Sequence, residues 1–534
     1  MEKKYIDFIK DITKDELYKG LLAEGLFTEK LPPFLSSIKF FEYCKKNSLS
    51  CKNKEKPYIY YESMRNTNVP RPLAIPNPIV YQKLCEKLYE DWDKIQNMFI
   101  DTTGNQDYKV SRIHIRKVRD SDKLFKMNYT DWKKDGNPEL NLLIGRQYKV
   151  KADISNCFPS IYTHSLSWAL VGKQLGKQER TTGWNNELDK CVRYMKNGET
   201  QGLLIGPHSS NLLSEIILCK IDSNLSKWRY VRNIDDYTCY VKSHDEAQRF
   251  LNELRDELRE FGLVLNHKKT EIIELPVISG EKWINKLNLI SILEKKDKLD
   301  YKGVQIYLDW AIELMKKHKM NTAILSYAFK VLGNKILTQN AKKYCIKMFF
   351  HLTLIYPYLV LILEDSIFKK FEVKNADILV LSQELFNKGL EEKNYEIISY
   401  AVYYAIKYEF DIEELNVEDI IRCNDCICKV ISYIYFKKNG KDKELQELVN
   451  HAKELVVDED EFNKNWLFVY EALTMRDFDN KFKDSFKNDW KAMKKGNVSF
   501  IKEEILNNNL KESMKNVIKI KEIDELSIVE AKTK

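Results

Sequence analysis

The sequence predicts an α+β amino-terminal part followed by an all-α carboxyl-terminal part. Eleven of the twelve prolines lie at or before Pro276, so the rest of the chain is almost free of helix breakers. That later part is rich in lysine, glutamate, leucine, isoleucine and tyrosine, and segments such as YEIISYAVYYAIKYEF place apolar residues at helical spacing. Before Pro276, strand-like runs of aromatic and β-branched residues alternate with turns and helical patterns.

Composition and charge restrict the class of protein. A chain of 534 residues exceeds one core, and 44% hydrophobic with 12% aromatic residues is typical of a globular protein. The net charge of +8 is compatible with a polyanionic partner. Eleven scattered cysteines and a first segment, MEKKYIDFIK, without secretory character predict a cytoplasmic protein. The longest apolar run, MFFHLTLIYPYLVLIL, is interrupted by His351 and Pro357, which predicts a buried kinked helix and no membrane span.

The segment YVRNIDDYTCYV predicts a β-hairpin with Asp235 and Asp236 in its tight turn. Aspartate is common in turns, but this turn has two acids and no glycine. Adjacent carboxylates repel each other, and a bridging divalent cation removes that repulsion because Mg²⁺ prefers hard oxygen ligands. The pair therefore predicts a magnesium site that needs a further acid from another strand.

Asp153 supplies that acid. YKVKADI alternates like a strand that ends at Asp153, and a helical pattern begins after Pro159. Two adjacent strands would then bring three carboxylates to one edge of a sheet. Two-metal phosphoryl transfer requires such a group, because one metal activates the attacking hydroxyl and the other holds the triphosphate.

Five ordered segments resemble reverse transcriptases. KADISNCF, TQGLLIGPHSSNLLSEIIL, NIDDY and FGLVLNHKKTEI have the order and spacing of a reverse transcriptase palm, and RPLAIPNPIVYQKL resembles the fingers motif. EGLFTEKLPPFLSS, FPSIYTHSLSWA and the helical last part resemble the bacterial abortive-infection (Abi-type) and unknown-group defence reverse transcriptases. The resemblance implies a right-hand polymerase with an N-terminal segment and fingers (1–148), a palm (149–276) and a HEAT-like helical-repeat domain (277–534).

The resemblance implies roles for the residues in these motifs. Asp153, Asp235 and Asp236 are expected to be catalytic and to bind Mg²⁺, with Mn²⁺ as an alternative, and Ile154 joins them in the metal-binding set. Arg71 has the position of the fingers arginine that clamps the triphosphate, for which a bidentate guanidinium is suited. Arg65 is a second candidate, with a solvated loop arginine as the alternative.

Four further positions are expected to contact the nucleotide or its leaving group. Phe158 has the position of the aromatic steric gate that excludes a ribose 2′-hydroxyl, and the alternative is a core phenylalanine. Gln201 and Gly202 are predicted to begin a helix, with Gln201 on the nucleotide and Gly202 allowing close backbone approach. Lys269, or its neighbour Lys268, could approach the leaving pyrophosphate.

One position departs from the family pattern. Asn233 stands where reverse transcriptases usually carry a tyrosine that holds the primer end, and no thumb is recognisable. Some members of the group prime DNA from a protein hydroxyl or work with a noncoding RNA, and many are oligomeric. A tyrosine could serve as the primer here, and Tyr58, Tyr60 and Tyr61 lie near the fingers, where they equally fit a strand.

The predicted function is therefore DNA synthesis from deoxynucleoside triphosphates in bacterial antiphage defence. Synthesis without a template, from a protein primer, or with a noncoding RNA are all compatible with the sequence, as is a homo-oligomer. The first alternative is a conventional RNA-templated reverse transcriptase of a retron-like or intron-like element. The second is a polymerase-derived binding protein whose helical domain senses a phage component.

Overall fold

The computed structural model describes nine stretches of the chain. They are residues 4–50, 54–112, 116–117, 125–126, 137–178, 183–277, 282–293, 298–478 and 482–506. Residues 278–281, which follow the predicted palm boundary, and the last residues, 507–534, lie outside the described part.

The amino-terminal part is helical and carries one two-stranded hairpin, here named the fingers hairpin. Its strands are β1 (Ile59–Met64) and β2 (Pro70–Ile75), which pair antiparallel with Ser63 opposite Arg71. Pro78 at the first turn of α4 favours a helix start because a proline there loses no hydrogen bond. The remaining elements are α1 (Tyr5–Lys10), α2 (Lys14–Leu22), α3 (Ile38–Lys46), α4 (Pro78–Glu90), α5 (Trp92–Thr103), β3 (Arg116–Lys117), β4 (Phe125–Lys126) and α6 (Glu139–Leu143).

The middle part contains a four-stranded antiparallel sheet, here named the palm sheet. Its strands are β5 (Tyr148–Asp153), β6 (Tyr230–Asn233), β7 (Asp236–Val241) and β8 (Glu271–Glu274), in the order β6-β7-β5-β8. The central strands β5 and β7 are paired so that Asp153 lies opposite Asp236. The accompanying helices are α7 (Cys157–Ser160), α8 (His164–Val171), α9 (Lys173–Gln178), α10 (Trp184–Tyr194), α11 (His208–Asn224) and α12 (His244–Glu260).

One of two predicted helix starts in this part is wrong. The helix expected after Pro159 is present and begins at His164, but a short helical turn that was not predicted, Cys157–Ser160, contains Pro159 itself. The helix expected at Gln201 and Gly202 begins at His208 instead. Pro207 caps that helix with extended backbone, and the intervening loop packs along β2.

Every described regular element from residue 282 to residue 506 is helical. The apolar run around Pro357 is not one kinked helix as predicted, because its α-helix ends at Ile355 and a 3₁₀ turn begins at Pro357. Within the described stretches, no helix has the length and apolar character needed to cross a bilayer. The helices are α13 (Lys282–Leu293), α14 (Tyr301–Lys317), α15 (Ala323–Leu332), α16 (Gln339–Ile355), a 3₁₀ turn (Pro357–Ile362), a π turn (Glu364–Phe368), α17 (Asn375–Glu392), α18 (Tyr395–Tyr408), α19 (Val417–Arg422), α20 (Cys426–Lys438), α21 (Asp442–Leu455), α22 (Glu459–Lys464), α23 (Trp466–Ala472), a 3₁₀ turn (Met475–Phe478), α24 (Lys487–Lys495) and α25 (Glu503–Leu506).

The helical last part packs against the first hundred residues. Leu35 and Ile501 form an antiparallel bridge, and Ser36 donates its backbone N–H to the Phe500 carbonyl at 2.8 Å. The backbone N–H of Met64, at the end of β1, donates to Glu396 Oε2 at 2.7 Å. The fingers hairpin is thus held by residues that follow it by hundreds of positions.

A buried ionic group, here named the Lys56 cluster, lies at this contact. The Lys56 side chain is 1% exposed and pairs with both Glu459 and Asp484, at 2.6 Å for the Asp484 carboxylate. Asp484 also accepts a hydrogen bond from Asn463, whose carbonyl oxygen accepts one from Asn77 at 2.6 Å. Every charge in the cluster therefore has a partner within the described chain.

Candidate active site

The three predicted aspartates lie together at one end of the palm sheet. Asp153 ends β5 and is 4% exposed, while Asp236, opposite it, begins β7 and is exposed. The Asp153 carboxyl group contributes to the raised pKa of Asp236. The turn is made by Ile234 and Asp235, so the prediction that both aspartates lie in the turn is correct for Asp235 and wrong for Asp236.

The turn that carries Asp235 has a strained backbone. Ile234 has a φ of 55°, in the left-handed region that β-branched residues rarely enter. Such a conformation costs about 1–3 kcal/mol and persists only where the surroundings hold it. The Asp235 carbonyl accepts the N–H of Ile154 at 3.2 Å, which ties the turn to the end of β5. Ile154 has an apolar, buried side chain, so only its main-chain carbonyl could serve a metal.

The pKa values of Asp235 and Asp236 are both raised. Although Asp236 is exposed as a residue, its carboxyl group is partly desolvated by the surrounding protein; this desolvation raises its pKa to about 6, with further contributions from the neighbouring charges of Asp235 and Asp153. Burial also raises the pKa of Asp235, and Asp153 adds to that effect. Negative charge is therefore poorly compensated at this edge of the sheet.

Two residues of the LNHKKT segment contact Asp153. Lys269 Nζ lies 2.7 Å from Oδ2, and the Asn266 amide donates to Oδ1 at 3.0 Å. The hydrogen bond to Asp153 raises the pKa of Lys269 despite partial burial. Of the two lysines that the sequence offered, Lys269 reaches the acids, while Lys268 donates its backbone N–H to Asn266. Asn266 was not anticipated, although it stands in the same motif.

This group fits a divalent cation. Three carboxylates supply hard oxygen atoms of the kind that Mg²⁺ and Mn²⁺ prefer, and Lys269 is the one lysine in contact with Asp153 among the described residues. No three acidic, histidine or cysteine side chains of the described stretches already surround a common point as metal ligands. Both carboxylate oxygen atoms of Asp153 accept hydrogen bonds, Oδ1 from Asn266 and Oδ2 from Lys269. A cation bound there would compete with the Lys269 ammonium group for Oδ2.

Phe158, Gln201 and Gly202 lie side by side next to β5. The backbone N–H of Gly202 donates to the Ile161 carbonyl at 2.7 Å, and that of Leu203 donates to the Phe158 carbonyl at 2.8 Å. Gly202 has a φ of 88°, and a Cβ atom there would lie 2.8 Å from the Pro159 carbonyl oxygen, so only glycine fits. The Gln201 side chain donates to the Ser160 carbonyl at 2.9 Å. Phe158 is half-buried against the core.

Arg71 faces the acids from the fingers hairpin. The Ala74 N–H of the same strand donates to the Ile205 carbonyl at 2.8 Å, which joins β2 to the loop that carries Gln201. Burial lowers the pKa of Arg71, Arg65 lowers it further, and the Asp235 carboxylate acts in the opposite direction. Within the described part of the chain, the buried Nε of Arg71 has no hydrogen-bond acceptor. Arg65 is exposed at the hairpin loop.

Lys30 is a cation that the sequence reasoning missed. Burial lowers its pKa, the Arg71 charge lowers it further, and Glu396 opposes both effects. Lys30 stands in EGLFTEKLPPFLSS, a segment used for the resemblance but not for any site. Lys30, Arg65 and Arg71 therefore form a group of positive charges, which approaches the acids through Arg71 and is suited to a polyanionic ligand.

The predicted strand at KPYIYYES is confirmed, and it separates the candidate priming tyrosines. Tyr60 is exposed on one face of β1, whereas Tyr61 is buried on the other. Arg71 pairs with Ser63, which shares the face of Tyr61, because alternate strand residues point to opposite faces. The exposed phenol of Tyr60 thus lies on the hairpin face opposite to Arg71.

Comparisons with solved structures find distant similarity to telomerases. Apo telomerase from Candida tropicalis truncated from its C-terminal domain shares 13% identity over 45% of this chain and 54% of that chain, at a TM-score of 0.26. Telomerase from Candida albicans in complex with a fragment of telomeric RNA shares 12% identity over 67% of each chain, at 0.26. Apo telomerase from Candida tropicalis shares 11% identity over 77% of this chain and 71% of that chain, at 0.30.

The comparison with curated proteins returns no match. The family model for reverse transcriptase (RNA-dependent DNA polymerase) matches residues 74–306. This match begins at the end of β2, contains the whole palm sheet and all three aspartates, and continues past Pro276 into α14. Residues 74–306 of the protein therefore carry a reverse transcriptase domain, of the kind found in RNA-directed DNA polymerases, which are nucleotidyl-transferring enzymes.

Proposed function

We propose that this enzyme adds deoxynucleotides to DNA with Mg²⁺ held by Asp153, Asp235 and Asp236, and that it acts in bacterial antiphage defence. The observation that carries the catalytic part is the convergence of these carboxylates on one edge of the palm sheet, with raised pKa values for Asp235 and Asp236. The defence role rests on the resemblance to abortive-infection and unknown-group reverse transcriptases, as does a bacterial cytoplasmic location.

Each site residue has a proposed task. Bound cations would supply Lewis acidity toward the attacking hydroxyl and the triphosphate. Arg71 binds phosphate oxygens, because its buried Nε has no hydrogen-bond acceptor among the described residues and a guanidinium pairs well with phosphate. Lys269 is close enough to Asp153 to place positive charge near the leaving group. Arg65 is exposed and adds attraction at longer range.

The sugar and base are proposed to lie against the segment formed by Phe158, Gln201 and Gly202. The hydrogen bonds between this segment's two backbone stretches fix the backbone of Phe158. Because the Phe158 side chain is only half-buried, part of it is available to exclude a 2′-hydroxyl group. Because Gly202 has no side chain, the nucleotide can approach the backbone closely at this position.

We further propose synthesis without an added template, either from a protein hydroxyl or with a noncoding RNA, by a homo-oligomer. Asn233 in place of the primer-holding tyrosine supports this, together with the family resemblance. Tyr60 is not favoured as the primer, because it lies on the hairpin face opposite to Arg71. The division into residues 1–148, 149–276 and 277–534, and HEAT-like stacking in the last of these, belong to the same proposal.

The decisive experiment uses nuclease-treated protein, labelled deoxynucleotides and Mg²⁺. The products are separated on a denaturing gel before and after protease treatment, with Asp235→Asn as the inactive control. Label that stays with the wild-type protein and shifts on proteolysis supports protein-primed synthesis. Incorporation only with added template and primer would favour the retron-like or intron-like alternative.

Sequencing the nucleic acid that copurifies with the protein separates the remaining possibilities. A single structured RNA species would favour synthesis with a noncoding RNA. No incorporation under any condition, by an intact and folded protein, would favour the binding-protein alternative and overturn the proposal.

A further inference from the structure

Arg232 is a buried cation directly beneath the aspartate turn. It lies on β6, two residues before Ile234, and its side chain is 0% exposed. A buried charge is tolerated only where it is paired and hydrogen-bonded. Arg232 therefore needs partners on every side of its guanidinium group.

Helix α11 supplies two of these partners. Arg232 Nε and Nη2 donate to Asp222 Oδ2 at 2.8 and 2.7 Å. Its Nη1 and Nη2 lie 3.1 and 3.4 Å from the Glu215 carboxylate. Asp222 and Glu215 are seven residues apart, so two helical turns place both on the face that meets the sheet. The guanidinium is thereby fixed relative to the helix.

The remaining donor reaches the turn itself. Arg232 Nη1 donates to the Ile234 carbonyl oxygen at 2.9 Å. Ile234 is the residue with the left-handed backbone, so this contact holds the strained peptide. On the other side, the Asp235 carbonyl accepts the Ile154 N–H. The peptide groups before and after Asp235 are thus both anchored.

The backbone of Arg232 is held as firmly as its side chain. Its N–H donates to the Val110 carbonyl at 2.8 Å, and its carbonyl accepts the Arg112 N–H at 2.7 Å. The edge strand β6 is therefore tied to the chain on its outer side as well. Because both the backbone and the guanidinium group of Arg232 are held by hydrogen bonds, the Ile234–Asp235 turn is restricted to its observed conformation.

We infer that Arg232 is a positioning residue that holds the Ile234–Asp235 turn in its strained conformation and so aims the Asp235 carboxylate at the metal site. This inference rests on the proposed metal-binding role of Asp235. Arg232 itself touches neither substrate nor metal. It acts through the hydrogen bond from Nη1 to the Ile234 carbonyl, while Asp222 and Glu215 on α11 hold the guanidinium group in place.

The Arg232→Lys variant tests the hydrogen bond to the Ile234 carbonyl while keeping the positive charge. An ammonium group can remain paired with Asp222 and Glu215, but it lacks the planar fork that also reaches Ile234. Because small displacements of reacting groups are costly, kcat should fall about 10–100-fold with little change in the KM for deoxynucleotide. The Mg²⁺ concentration needed for half of the Mg²⁺-induced rise in Tm should increase about tenfold, since residues that orient ligands control metal affinity.

Lys56→Met is the control for a general loss of stability, because it removes a buried cation outside the palm. Its activity per folded molecule and its Mg²⁺ requirement should match the wild type. If both variants lose activity in proportion to their loss of Tm, Arg232 is only a structural ion pair and the inference is overturned. If Asp235→Ala remains active, the assignment of the metal site fails instead.

Ile234→Gly in the Arg232→Lys background provides a second test. Glycine adopts positive φ freely, so it removes the strain that Arg232 opposes. The double variant should recover at least part of the lost kcat and of the Mg²⁺ affinity. If Arg232→Lys alone does not fold, a folded and active double variant supports the inference. A double variant that is unfolded, or no more active than Arg232→Lys, overturns it.

Discussion

Two groups of charged residues in this protein differ in how far their negative charges are compensated by positive ones. In the Lys56 cluster, burial opposes ionisation of Glu459, but hydrogen bonds from Lys56 and Lys54 outweigh it and lower the pKa of Glu459 to about 2. In the palm, burial and mutual repulsion raise the pKa of Asp236 to about 6. The first group is neutralised by its own chain. The second keeps excess negative charge.

This difference separates structural from functional electrostatics. A closed cluster such as that of Lys56 joins the fingers hairpin to the helical last part through partners 403 and 428 residues away. A bound cation would stabilise the carboxylates of the aspartate group, so these acids are expected to bind metal. When no metal is bound, their mutual repulsion lowers the stability of the protein. Replacing a residue of the Lys56 cluster should therefore lower the stability of the protein. Replacing an aspartate of the palm should lower activity without lowering stability.

The largest expected effect is on catalysis. Asp235→Ala and Asp153→Ala should lower nucleotide incorporation by about 10²–10³-fold or more, because charge stabilisation at the reacting phosphate is lost. The Tm of Asp235→Ala should stay the same or rise, since one repelling carboxylate is gone. Incorporation of labelled deoxynucleotide and thermal unfolding measure the two quantities. The exposed Asp245→Ala on α12 is the control and should behave as wild type. Normal polymerisation by either variant would disprove the assignment.

The next effect is on stability in the other cluster. Lys56→Met leaves Glu459 and the buried Asp484 without their shared cation, which should reduce the free energy of unfolding by about 3–5 kcal/mol. Lys54→Met is the matched control, because Lys54 is largely exposed and also pairs with Glu459. Its loss should be below about 1 kcal/mol. Urea unfolding of both variants checks the difference, and equal losses would contradict the distinction between buried and exposed partners.

Glu396 offers a smaller effect with a defined pH dependence. Burial raises its pKa from an ordinary 4.5 to about 7, so the folded state binds the extra proton between these values. Stability should therefore fall as the pH rises from about 4.5 to about 7, and be constant above that. In Glu396→Gln this loss disappears, which should favour the variant by up to about 3 kcal/mol at pH 8 relative to pH 4.5. Chemical unfolding across this range tests it; a pH-independent difference between the proteins would refute it.

The smallest effect concerns the choice of sugar and involves shape without charge. Phe158→Ala should raise the efficiency of ribonucleotide relative to deoxynucleotide incorporation by about 10-fold or more, since the ring no longer fills the space of a 2′-hydroxyl. Competition between the two nucleotides gives the ratio directly. Phe158→Tyr keeps the bulk of the ring and should keep the discrimination. An active alanine variant with unchanged discrimination would show that Phe158 only packs against the core.

The sequence was informative where a site is built from short local patterns. Strand alternation and a turn were enough to predict that Asp153, Asp235 and Asp236 meet, because neighbouring strands in an antiparallel sheet fix that geometry. The start of α11 was misplaced at Gln201, although the Gly206–Pro207 pair marks an interruption before the helix. That signal outweighs the apolar periodicity that follows.

The sequence did not allow us to predict which residues far apart in the chain pair with each other. Lys56 stands in a segment of several lysines, and nothing local distinguishes it from its solvated neighbour Lys54. Its burial is decided by Asp484, far along the chain. Arg232 gave a weak signal, as a charged residue inside a strand otherwise rich in apolar side chains, but its partners on α11 could not be chosen from the sequence.

The bridge between Leu35 and Ile501 has a consequence for the timing of synthesis. Leu35 leaves the ribosome long before its partner Ile501, because hundreds of residues separate the two along the chain. The fingers hairpin likewise waits for Glu396 and Asp484. A nascent chain that already contains all three aspartates therefore lacks the contacts that stabilise the fingers hairpin, and it should reach its full stability only after the segments that contain Glu396, Asp484 and Ile501 have left the ribosome and docked.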